Sequence, residues 1–533
     1  MSVIVSGISL PLGENTNTAI KNAAKLCGVF PRGEISAQIY KESVDARRGK
    51  INKVYSVKIS GIDEEKEKLL CEKNPKIRPC SDTSLDELIS DIKAEAGCGP
   101  RPVVVGLGPA GMFAALTLAR MGLAPIVIER GKPIVNRDGD VDLFVKERKL
   151  NSSSNIQFGE GGAGAYSDGK LTTRISDPIC SAVLKELVAH GAPEETLTKA
   201  HPHIGTDILK GVVSSIDRET ESLGGEILFE TTVTDFKHKD GKLSSVLTDK
   251  GEIPCSAVIL AVGHSARDTF ERLLSCGLEI IPKSFAMGVR IEHLQADIDR
   301  AMYGELAGKY DLGAAEYFVS NREGERGCFS FCMCPGGVVC AAASEQETVV
   351  TNGMSYHARN GVNGNAAIAV SADAAGFPNG PLGGVELSRS IEERAYILGG
   401  GDYSAPAQLV SDFLAGRSST RLGRIRPTYP LGVNLGSVEE LLPPGGADLM
   451  RRSLLKFASS YRFFGDGDAV LTGPETRTSS PVRLLRGENG VSTRIDGIYP
   501  CGEGAGYAGG IMSAAVDGVK QALGLARRYY CSR

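Results

Sequence analysis

The sequence lacks the features that mark membrane-spanning, secreted and nucleic-acid-binding proteins. No apolar run in its 533 residues approaches the roughly 18 residues that a membrane-spanning helix requires. Residues 1–10 have no basic stretch before their apolar positions, so a cleaved signal peptide is not expected. A net charge of −4 provides no overall attraction to nucleic acid or to an anionic bilayer. These absences favour a cytoplasmic protein that works without a membrane.

A disulfide framework and a metal centre are not indicated either. The 13 cysteines follow no regular spacing, and their odd number leaves at least one of them unpaired. Reduced thiols in a cytosol-like compartment are therefore the default interpretation. The densest group, in residues 328–334, has no C-x₂-C pair of the kind that usually holds zinc, so we predict no bound metal.

Glycine, in contrast, is abundant, and residues 101–131 use it most informatively. Three valines at 103–105 predict a buried parallel strand, which a G-x-G-x-x-G sequence follows. Its glycines and first helical residues are Gly106, Gly108, Pro109, Ala110 and Gly111. The first glycine permits a tight turn, the second lets a pyrophosphate approach the backbone, and the third lets the helix pack closely. The helix directs its free N–H groups at the phosphate.

A carboxylate closes this unit at the end of the second predicted strand. Glu129 lies 23 positions after Gly106, where an acidic side chain accepts hydrogen bonds from the ribose hydroxyls of an adenosine. The same charge repels a 2′-phosphate, so FAD or NAD fits better than NADP. Arg130 follows directly and joins the predicted cofactor-binding residues. Strand, helix and acid together distinguish the pattern from a phosphate-free βαβ unit, which glycines alone would not exclude.

Two later segments supply further strands for the same sheet. Residues 257–261 predict one apolar strand, residues 495–499 predict another, and residues 511–530 predict the final helix. Ligands bind at the carboxyl ends of parallel strands. The predicted cofactor-binding residues at these ends are Gly263, Gly502, Glu503, Gly509, Gly510 and Ile511.

Residues 155–174 predict a glycine-rich loop rather than a second nucleotide fingerprint, because no helix follows their glycines. We predict that Gly161 and Gly162 let this loop lie against a flat ligand and that Lys170 reaches its anionic groups. The alternative is a flexible surface loop, of which glycine excess alone is typical.

Three fragments resemble the FAD fingerprints of glutathione-reductase-type flavoproteins: VVVGLGPAG with VIE, SAVILAVGH, and DGIYPCGEGAGYAGG. More closely, the chain resembles a family of bacterial FAD-dependent dehydrogenases of undetermined substrate, relatives of the bile-acid-inducible flavoproteins. The segments that carry this closer resemblance are KESVDARRGKI, SNIQFGEGGAGAYSDGKL, AVGHSARDTFE, FAMGVRIEH, SFCMCPGG, ETRTSSPVR and CGEGAGYAGGI. They are spread over nearly the whole chain.

The resemblance implies non-covalent FAD, with Glu129 at the adenosine ribose, the three fingerprint glycines at the pyrophosphate, and Glu503 near the ribityl or phosphate groups. It also implies that residues 509–511 lie beside the isoalloxazine. The chain departs from the broader reductase type, since it has neither a C-x₄-C dithiol after the first βαβ unit nor a second G-x-G-x-x-G for NADPH. A disulfide reductase with two nucleotide sites is therefore not expected. The electron donor binds transiently or is not NAD(P)H.

The predicted fold class is α/β. Residues 1–98 predict a small N-terminal α+β module, and residues 99–281 with residues 481–533 predict a Rossmann-like FAD-binding domain of the glutathione-reductase type. Residues 282–480 predict an inserted β-rich substrate domain. The N-terminal module ends in a helix predicted over residues 82–96.

For the reaction we predict a two-electron hydride transfer between the flavin and a small organic substrate. Arg477, Arg483 and Arg486 form a candidate anion clamp, although structural pairing with acidic residues explains them equally well. His264 is a candidate catalytic residue that hydrogen-bonds the ring or the substrate, with a structural loop histidine as the alternative.

The thiols of residues 328–334 are the second catalytic candidate. With a period of two, one strand face carries Cys328, Ser330, Cys332 and Cys334, and the other carries Phe329, Phe331 and Met333. We expect the aromatic face to be buried and the sulfur face to meet the flavin, with Cys334 as the reactive thiol because it adjoins a turn. Inert packing and a metal site are the alternatives.

A rival function is FAD-dependent modification of RNA, with the RNA docked on the basic cluster at residues 41–58. The acidity of the whole chain and the lack of aromatics among those basic residues argue against it. FAD held as a structural element in a non-redox protein is a third possibility. We therefore expect a small-molecule substrate and no nucleic-acid partner, and we leave the electron donor and the oligomeric state open.

Overall fold

The computed structural model describes residues 1–46, 50–94, 99–378 and 380–531, and three principal β-sheets divide them. A four-stranded sheet lies in the N-terminal residues. A five-stranded sheet joins the segments on either side of residues 282–480, and a seven-stranded sheet lies within that range. The chain is thus a mixed α/β protein, as predicted.

The N-terminal unit is an antiparallel sheet with the strand order β2-β3-β1-β4. Its elements are β1 (Ser2–Pro11), α1 (Thr16–Leu26), β2 (Ser36–Asp45), β3 (Asn52–Ser60), α2 (Glu64–Lys73), β4 (Ile77–Pro79) and α3 (Leu85–Ile89). The side chain of Asn15 caps α1 by accepting a hydrogen bond from the Asn17 N–H at 2.8 Å. Alternate residues of β1 and β3 pack against Ala19 and Ala23 of α1.

The helix predicted over residues 82–96 is wrong in its extent, because α3 ends at Ile89. Residues 95–98 lie outside the described residues. The Ser84 hydroxyl caps α3 by accepting from the Glu87 N–H at 3.2 Å. Leu85 is buried in the same hydrophobic cluster as the helices of the nucleotide-binding unit. The core therefore groups α3 with that unit, although it precedes residue 98.

The first part of the nucleotide-binding unit alternates strands and helices before a short antiparallel meander. Its elements are β5 (Val103–Val105), α4 (Pro109–Arg120), β6 (Ile126–Ile128), α5 (Ile134–Glu147), α6 (Ile179–Ala189), α7 (Thr206–Ser222), β7 (Glu226–Leu228), β8 (Val233–Lys239), β9 (Lys242–Thr248), β10 (Gly251–Pro254), β11 (Val258–Leu260) and α8 (Arg267–Ser275).

The middle segment is rich in β-structure, and the chain then returns to the nucleotide-binding unit. Its elements are β12 (Ile280–Pro282), β13 (Phe285–Leu294), α9 (Gln295–Tyr303), β14 (Ser320–Glu323), β15 (Arg326–Cys334), β16 (Val338–Ala341), β17 (Thr351–Met354), β18 (Asn363–Ala372), α10 (Gly383–Leu398), β19 (Ala405–Leu409), α11 (Val410–Leu414), β20 (Val433–Leu435), α12 (Gly446–Ser460) and β21 (Val470–Glu475). The returning elements are β22 (Val482–Leu484), β23 (Ile498–Pro500) and α13 (Ile511–Tyr529). A buried strand, β19, directly precedes the short α11.

The five-stranded sheet is parallel and has the order β23-β11-β5-β6-β7. Its strands are three residues long and fully buried at the centre, where α4 and α13 pack together on it. The C-terminal segment therefore completes a sheet that begins some 400 residues earlier in the chain. This arrangement brings the carboxyl ends of β5, β11 and β23 to one edge.

The middle segment forms the sheet β14-β15-β18-β13-β21-β19-β20, in which the long strands β13 and β18 pair antiparallel over ten residues. The strands β12 and β22, where the chain leaves and re-enters the nucleotide-binding unit, pair with each other. We call the unit between them the cap domain. This two-stranded hinge lies next to the turn after β23, because the N–H of Leu484 donates to the carbonyl of Ala505 at 3.2 Å.

Candidate functional site

The G-x-G-x-x-G turn contains two kinds of glycine. A Cβ at Gly106 would lie 2.4 Å from the carbonyl oxygen of Ala261, and one at Gly111 would lie 1.8 Å from the carbonyl oxygen of Gly106. Packing within the protein excludes a side chain at both positions. A Cβ at Gly108, in contrast, would meet only the Cα of Gly162, at 3.9 Å. The protein itself leaves room at Gly108, as expected where a ligand approaches the backbone.

Glu129 and Arg130 both have partners within the protein. The buried Glu129 carboxylate accepts hydrogen bonds from the N–H groups of Leu107, Gly131 and Gly159, each at 2.9 Å. It thereby fixes the fingerprint turn, and its Oε2, which accepts only one of the three bonds, keeps a lone pair for a ribose hydroxyl. The Arg130 guanidinium forms a bidentate pair with Asp268 at 3.1 Å. It therefore acts locally as a bridge to α8.

The glycine-rich loop is fixed in place, so the interpretation as a flexible surface loop is wrong. The Gly161 N–H donates to the carbonyl of Leu107 at 2.9 Å, and a Cβ at Gly162 would lie 2.9 Å from the Cα of Gly108. Beneath the loop, the fully buried Arg137 donates to the backbone carbonyls of Asn155, Ile156 and Glu160. The loop therefore lies directly against the fingerprint turn.

The turn after β23 lies next to the end of β11. A Cβ at Gly504 would lie 2.3 Å from the carbonyl oxygen of Gly263, so these two chain segments touch. The Gly502 N–H donates to the Asp517 carboxylate at 2.7 Å. Burial raises the pKa of the Glu503 carboxyl to about 7, against the opposing effects of the Lys283 ammonium and the Gly510 N–H. The predicted cofactor residues of this edge are thus brought together.

The start of α13 is open. A Cβ at Gly509 or at Gly510 would meet no atom within 4 Å, and Gly510 has a φ of +94° that favours glycine. Ile511 is buried and lies against Gly164 of the glycine-rich loop. The free N–H groups of this nineteen-residue helix therefore face open space beside the loop.

Two adjoining cavities lie between the three units. The thiol cavity, of about 1330 Å³, is lined by Cys332, Lys170, Glu316, His203, His357 and Arg359 among others. The arginine cavity, of about 1850 Å³, is lined by Arg483, Lys283, Tyr507, Gly509, Ser513 and Phe331 among others. Both cavities share Thr172, Arg174, Phe318 and Ser330, so they meet along the cap domain.

Charges in the thiol cavity are balanced by ion pairs. Arg359 pairs with Asp168 and, at 2.6 Å, with Glu316, and Lys170 pairs with Glu316 at 3.0 Å. Although burial opposes ionisation, the charges of Lys170 and Arg359 lower the pKa of Glu316 to about 2. Burial and the charge of Arg359 lower the pKa of His203. Lys170 therefore has a protein partner, which the sequence-based prediction of a free anion-binding lysine did not include.

The arginine cavity has an excess of positive charge. Arg483 donates to the carbonyl of Gly506 at 3.2 Å and lies 5.1 Å from the centre of the Tyr507 ring. Among the described residues, no carboxylate forms an ion pair with Arg483 or with Lys283. Burial and the nearby charge of Arg483 lower the pKa of Lys283, against the opposing charge of Glu503. An anion in this cavity would relieve the repulsion between the two cations.

Arg477 and His264 lie outside both cavities. Arg477 is buried and pairs with Glu392 at 3.0 Å, and Arg267 binds the same carboxylate at 2.7 Å. The His264 ring binds the backbone carbonyl of Arg477 at 3.0 Å, and burial followed by the charge of Arg477 lowers its pKa to about 4. Neither residue lines the two cavities. These positions favour the structural alternative for both.

The burial of β15 is the reverse of the prediction, which buried the aromatic face and left the sulfur face open. Cys328 and Ser330 are buried, whereas Phe331 is 41% exposed and lines the arginine cavity. A β-bulge between Phe331 and Cys334 then breaks the period of two. As a result Cys332 lines the thiol cavity, and Cys334, at 0% exposure, does not. The prediction that Cys334 is the accessible thiol is therefore wrong on geometric grounds.

Sequence reasoning missed Lys283 and Cys332 as cavity residues. Lys283 directly precedes the cap domain and had no motif of its own, although a lysine between two apolar strands was a usable signal. Cys332 was recognised, but only a bulge that the sequence does not announce turns it to the cavity. Within the described ranges, no cluster of three potential metal ligands occurs. In the same ranges, no helix combines the length and apolar character that crossing a bilayer demands.

Residues 284–478 match the family model described as "FAD-dependent protein, C-terminal domain-like". An uncharacterized protein of Clostridium beijerinckii is 45% identical over 528 residues, with 98% of each chain covered. Among solved structures, a flavoprotein/dehydrogenase from Cytophaga hutchinsonii is 12% identical with a TM-score of 0.35, covering 81% of this chain and 77% of that one. Glycine oxidase from Bacillus cereus is 10% identical with a TM-score of 0.31, covering 80% and 96%. These two scores are too low to carry an argument about activity.

Proposed function

The chain belongs to the same family as the Clostridium beijerinckii protein, and we propose that it is an oxidoreductase that transfers a hydride between FAD and a small organic anion. FAD is the cofactor, since the model that matches the cap domain describes FAD-dependent proteins. Two features of the nucleotide-binding edge fit such a group. Gly108 has room for a pyrophosphate, and the start of α13 is open.

The residues that would hold FAD are those of the three strand ends. The turn at Gly106 and Gly108 would take the pyrophosphate, Glu129 the ribose, and Glu503 the ribityl or phosphate groups. When bound, FAD supplies a two-electron acceptor or donor, and the protein supplies orientation, charge and exclusion of water. Burial of Glu503 favours a protonated carboxyl near pH 7, which can donate a hydrogen bond as well as accept one.

The observation that carries the choice of substrate is the unpaired charge in the arginine cavity. Arg483 and Lys283 share this cavity with Gly509 and Ser513 of the first turn of α13. By the family resemblance, this turn lies beside the isoalloxazine. A carboxylate or phosphate held by the two cations would therefore place the rest of a small substrate at the reactive end of the cofactor.

The proposal is tested first at the cofactor. Gly108→Val should give folded protein that has lost most of its FAD, because the added side chain fits the protein but blocks the pyrophosphate. Gly139→Ala is the matched control, since a Cβ there, on the exposed face of α5, meets no atom within 4 Å. Glu129→Ala is less informative, because it strips three buried N–H groups of their acceptor. Unchanged flavin content in Gly108→Val would contradict the site.

The second test identifies the electron donor. Purified protein is mixed anaerobically with NADH or NADPH in a stopped-flow instrument, and bleaching of the flavin absorbance is followed. Since the chain has no second nucleotide fingerprint, we expect slow, non-saturating reduction by either nucleotide. Fast saturating reduction would mean that a nicotinamide binds in one of the two cavities.

The RNA-modifying alternative is not favoured by the described part of the basic cluster. Lys53 pairs with Glu42 at 2.9 Å, Lys58 pairs with Asp82 at 2.7 Å, and Lys41 donates to a backbone carbonyl at 3.2 Å. Arg47 and Arg48 lie outside the described residues. A gel-shift assay with tRNA, in wild type and in a variant with both arginines changed to Ala, tests whether these two residues bind RNA.

A further inference from the structure

Cys332 and Cys334 are held together by the bulge in β15. Phe331 pairs with Ala367 and Cys334 with Asn365, so three steps along β15 match two along β18. Cys332 takes up the extra residue with a φ of +42°, which is uncommon for a residue with a side chain. Across the bulge the Cys334 thiol turns back towards the other cysteine, and its Sγ donates to the carbonyl oxygen of Cys332 at 3.4 Å.

Buried positive charge lies beneath this pair. Arg290 is fully buried, and its guanidinium donates to the carbonyl of Cys332 at 2.8 Å while forming a bidentate pair with Glu475 at 2.6 and 2.7 Å. Burial opposes its charge, but the pairing with Glu475 raises the pKa of Arg290 above the ordinary value. Arg290 thus fixes the bulge and supplies a permanent cation below the two sulfur atoms.

The two thiols have different protonation tendencies. A hydrogen bond from Cys334 and the charges of Arg290 and Lys170 lower the pKa of Cys332, although burial acts in the opposite direction. The same shared hydrogen bond and burial raise the pKa of Cys334. Of the two sulfur atoms, that of Cys332, which lines the thiol cavity, therefore becomes a thiolate more readily. This division of roles suits a nucleophilic thiolate and a protonated partner.

We propose that Cys332 and Cys334 are a redox-active pair that closes to an intramolecular disulfide and exchanges two electrons with FAD. The proposal rests on the proposed function only in naming FAD as the electron acceptor. The position supports exchange with the cofactor edge, because Gly509 and Ser513 of the first turn of α13 line the adjoining arginine cavity. The thiol cavity also joins the arginine cavity along Ser330, one residue before Phe331.

The step balances in atoms and electrons. The Cys332 thiolate and the Cys334 thiol form one S–S bond, and they release two electrons and the proton of Cys334. FAD takes up both electrons and that proton to give the reduced, singly protonated flavin anion. The reverse reaction opens the disulfide with the same two electrons and one proton. No further oxidant, reductant or metal is required.

The first experiment asks whether the disulfide forms. The FAD-containing protein is equilibrated with mixtures of reduced and oxidised dithiothreitol, free thiols are trapped with N-ethylmaleimide, and the protein is digested with chymotrypsin. The peptide with Cys332 and Cys334 should lose the mass of two hydrogen atoms and carry no maleimide on either residue. Maleimide on both thiols at every buffer ratio, or a bond from either of them to Cys340, would overturn the proposal.

The second experiment asks whether the pair communicates with FAD. Pre-oxidised protein is titrated anaerobically with dithionite until the flavin is bleached. Wild type should take up two more electrons per FAD than Cys332→Ser or Cys334→Ser, and Cys71→Ser, on α2 and outside both cavities, should match wild type. FAD content and melting temperature are measured for each variant, so that a folding defect is recognised.

The outcomes separate the two proposals. Equal electron uptake by all four proteins, with FAD present, contradicts the exchange and leaves the oxidoreductase proposal standing. A protein that forms the Cys332–Cys334 disulfide but contains no FAD contradicts the proposed function and this exchange together. A wild-type excess of two electrons that either serine variant abolishes supports the pair.

Discussion

Arg477 and Arg483 stand six residues apart in one motif, yet the structure gives them opposite surroundings. Arg477 is buried and shares the Glu392 carboxylate with Arg267. Arg483 lines the arginine cavity, which it shares with another cation, Lys283. A guanidinium that is already paired holds the fold together, whereas one without an acid is available to a ligand. The comparison therefore separates structural from functional arginines by their partners.

The largest expected effect comes from removing the Glu392 carboxylate that Arg267 and Arg477 share. Glu392→Ala should lower the free energy of unfolding by about 3–5 kcal/mol, because Arg477 would stay buried without its counter-charge and Arg267 would keep only its pair with Glu345. The measurement is urea unfolding followed by circular dichroism. Glu386→Ala, on the exposed face of the same helix, is the control and should change stability by less than about 0.5 kcal/mol. Equal midpoints for both variants would show that the cluster is not structural.

Removing Arg483 from the arginine cavity should weaken ligand binding rather than lower the stability of the fold. Arg483→Ala should keep the fold and FAD but bind small carboxylates about 10- to 100-fold more weakly, as expected for loss of a hydrogen bond to a charged group. Binding is followed through the change in flavin absorbance on titration with mono- and dicarboxylates. Arg218→Ala, an exposed arginine on α7, should leave these affinities unchanged. Unaltered affinity in Arg483→Ala would remove the substrate assignment of the arginine cavity.

Sequence alone predicted the parts of the fold that local patterns control. The strand at 103–105, the helix that begins at Pro109 and the final helix follow from apolar runs and glycines, and the structure has them. The fate of each arginine was left open, because partners such as Glu392 lie some 85 positions away in the chain. No local pattern reports a contact of that range.

The prediction of which face of β15 is buried was wrong for a related reason. A period of two assumes an unbroken ladder, and the bulge before Cys334 inserts one residue. In addition, the aromatic face was assumed to be buried, whereas Phe331 faces a cavity between units. Which face of a strand is covered depends on the neighbouring domain. That information is not contained in the strand itself.

The thiols of Cys332 and Cys180 should differ in how their alkylation rates depend on pH. At pH 7 a small alkylating agent should react with Cys332 at least about 10-fold faster than with Cys180, because the pKa is lowered at Cys332 and raised by burial at Cys180. Raising the pH should speed the reaction at Cys180 more than at Cys332, whose thiolate is already formed. Rates come from timed quenching and peptide mass spectrometry. A Cys332 rate that climbs steeply above pH 8 would contradict the stabilised thiolate.

The smallest expected effect concerns His264 on the paired side. Burial and the charge of Arg477 lower its pKa to about 4, below the value of about 6.5 in an unfolded chain. Between these two values the unfolded state binds the extra proton, so the contribution of His264 is complete above pH 6.5 and is lost as the pH falls towards 4. His264→Gln keeps a donor for the Arg477 carbonyl but cannot be protonated.

The variant should therefore unfold with a shallower loss of stability than wild type over this window, and the two should differ by about 1 kcal/mol or less at pH 7. Unfolding curves at half-unit intervals of pH measure the difference between the proteins, in which contributions common to both, such as that of the buried His293, cancel. Anion binding in the arginine cavity should be the same in both. Parallel stability curves across the window would mean that His264 is charged in the folded protein. A weaker anion affinity in His264→Gln would instead show that His264 contributes to anion binding.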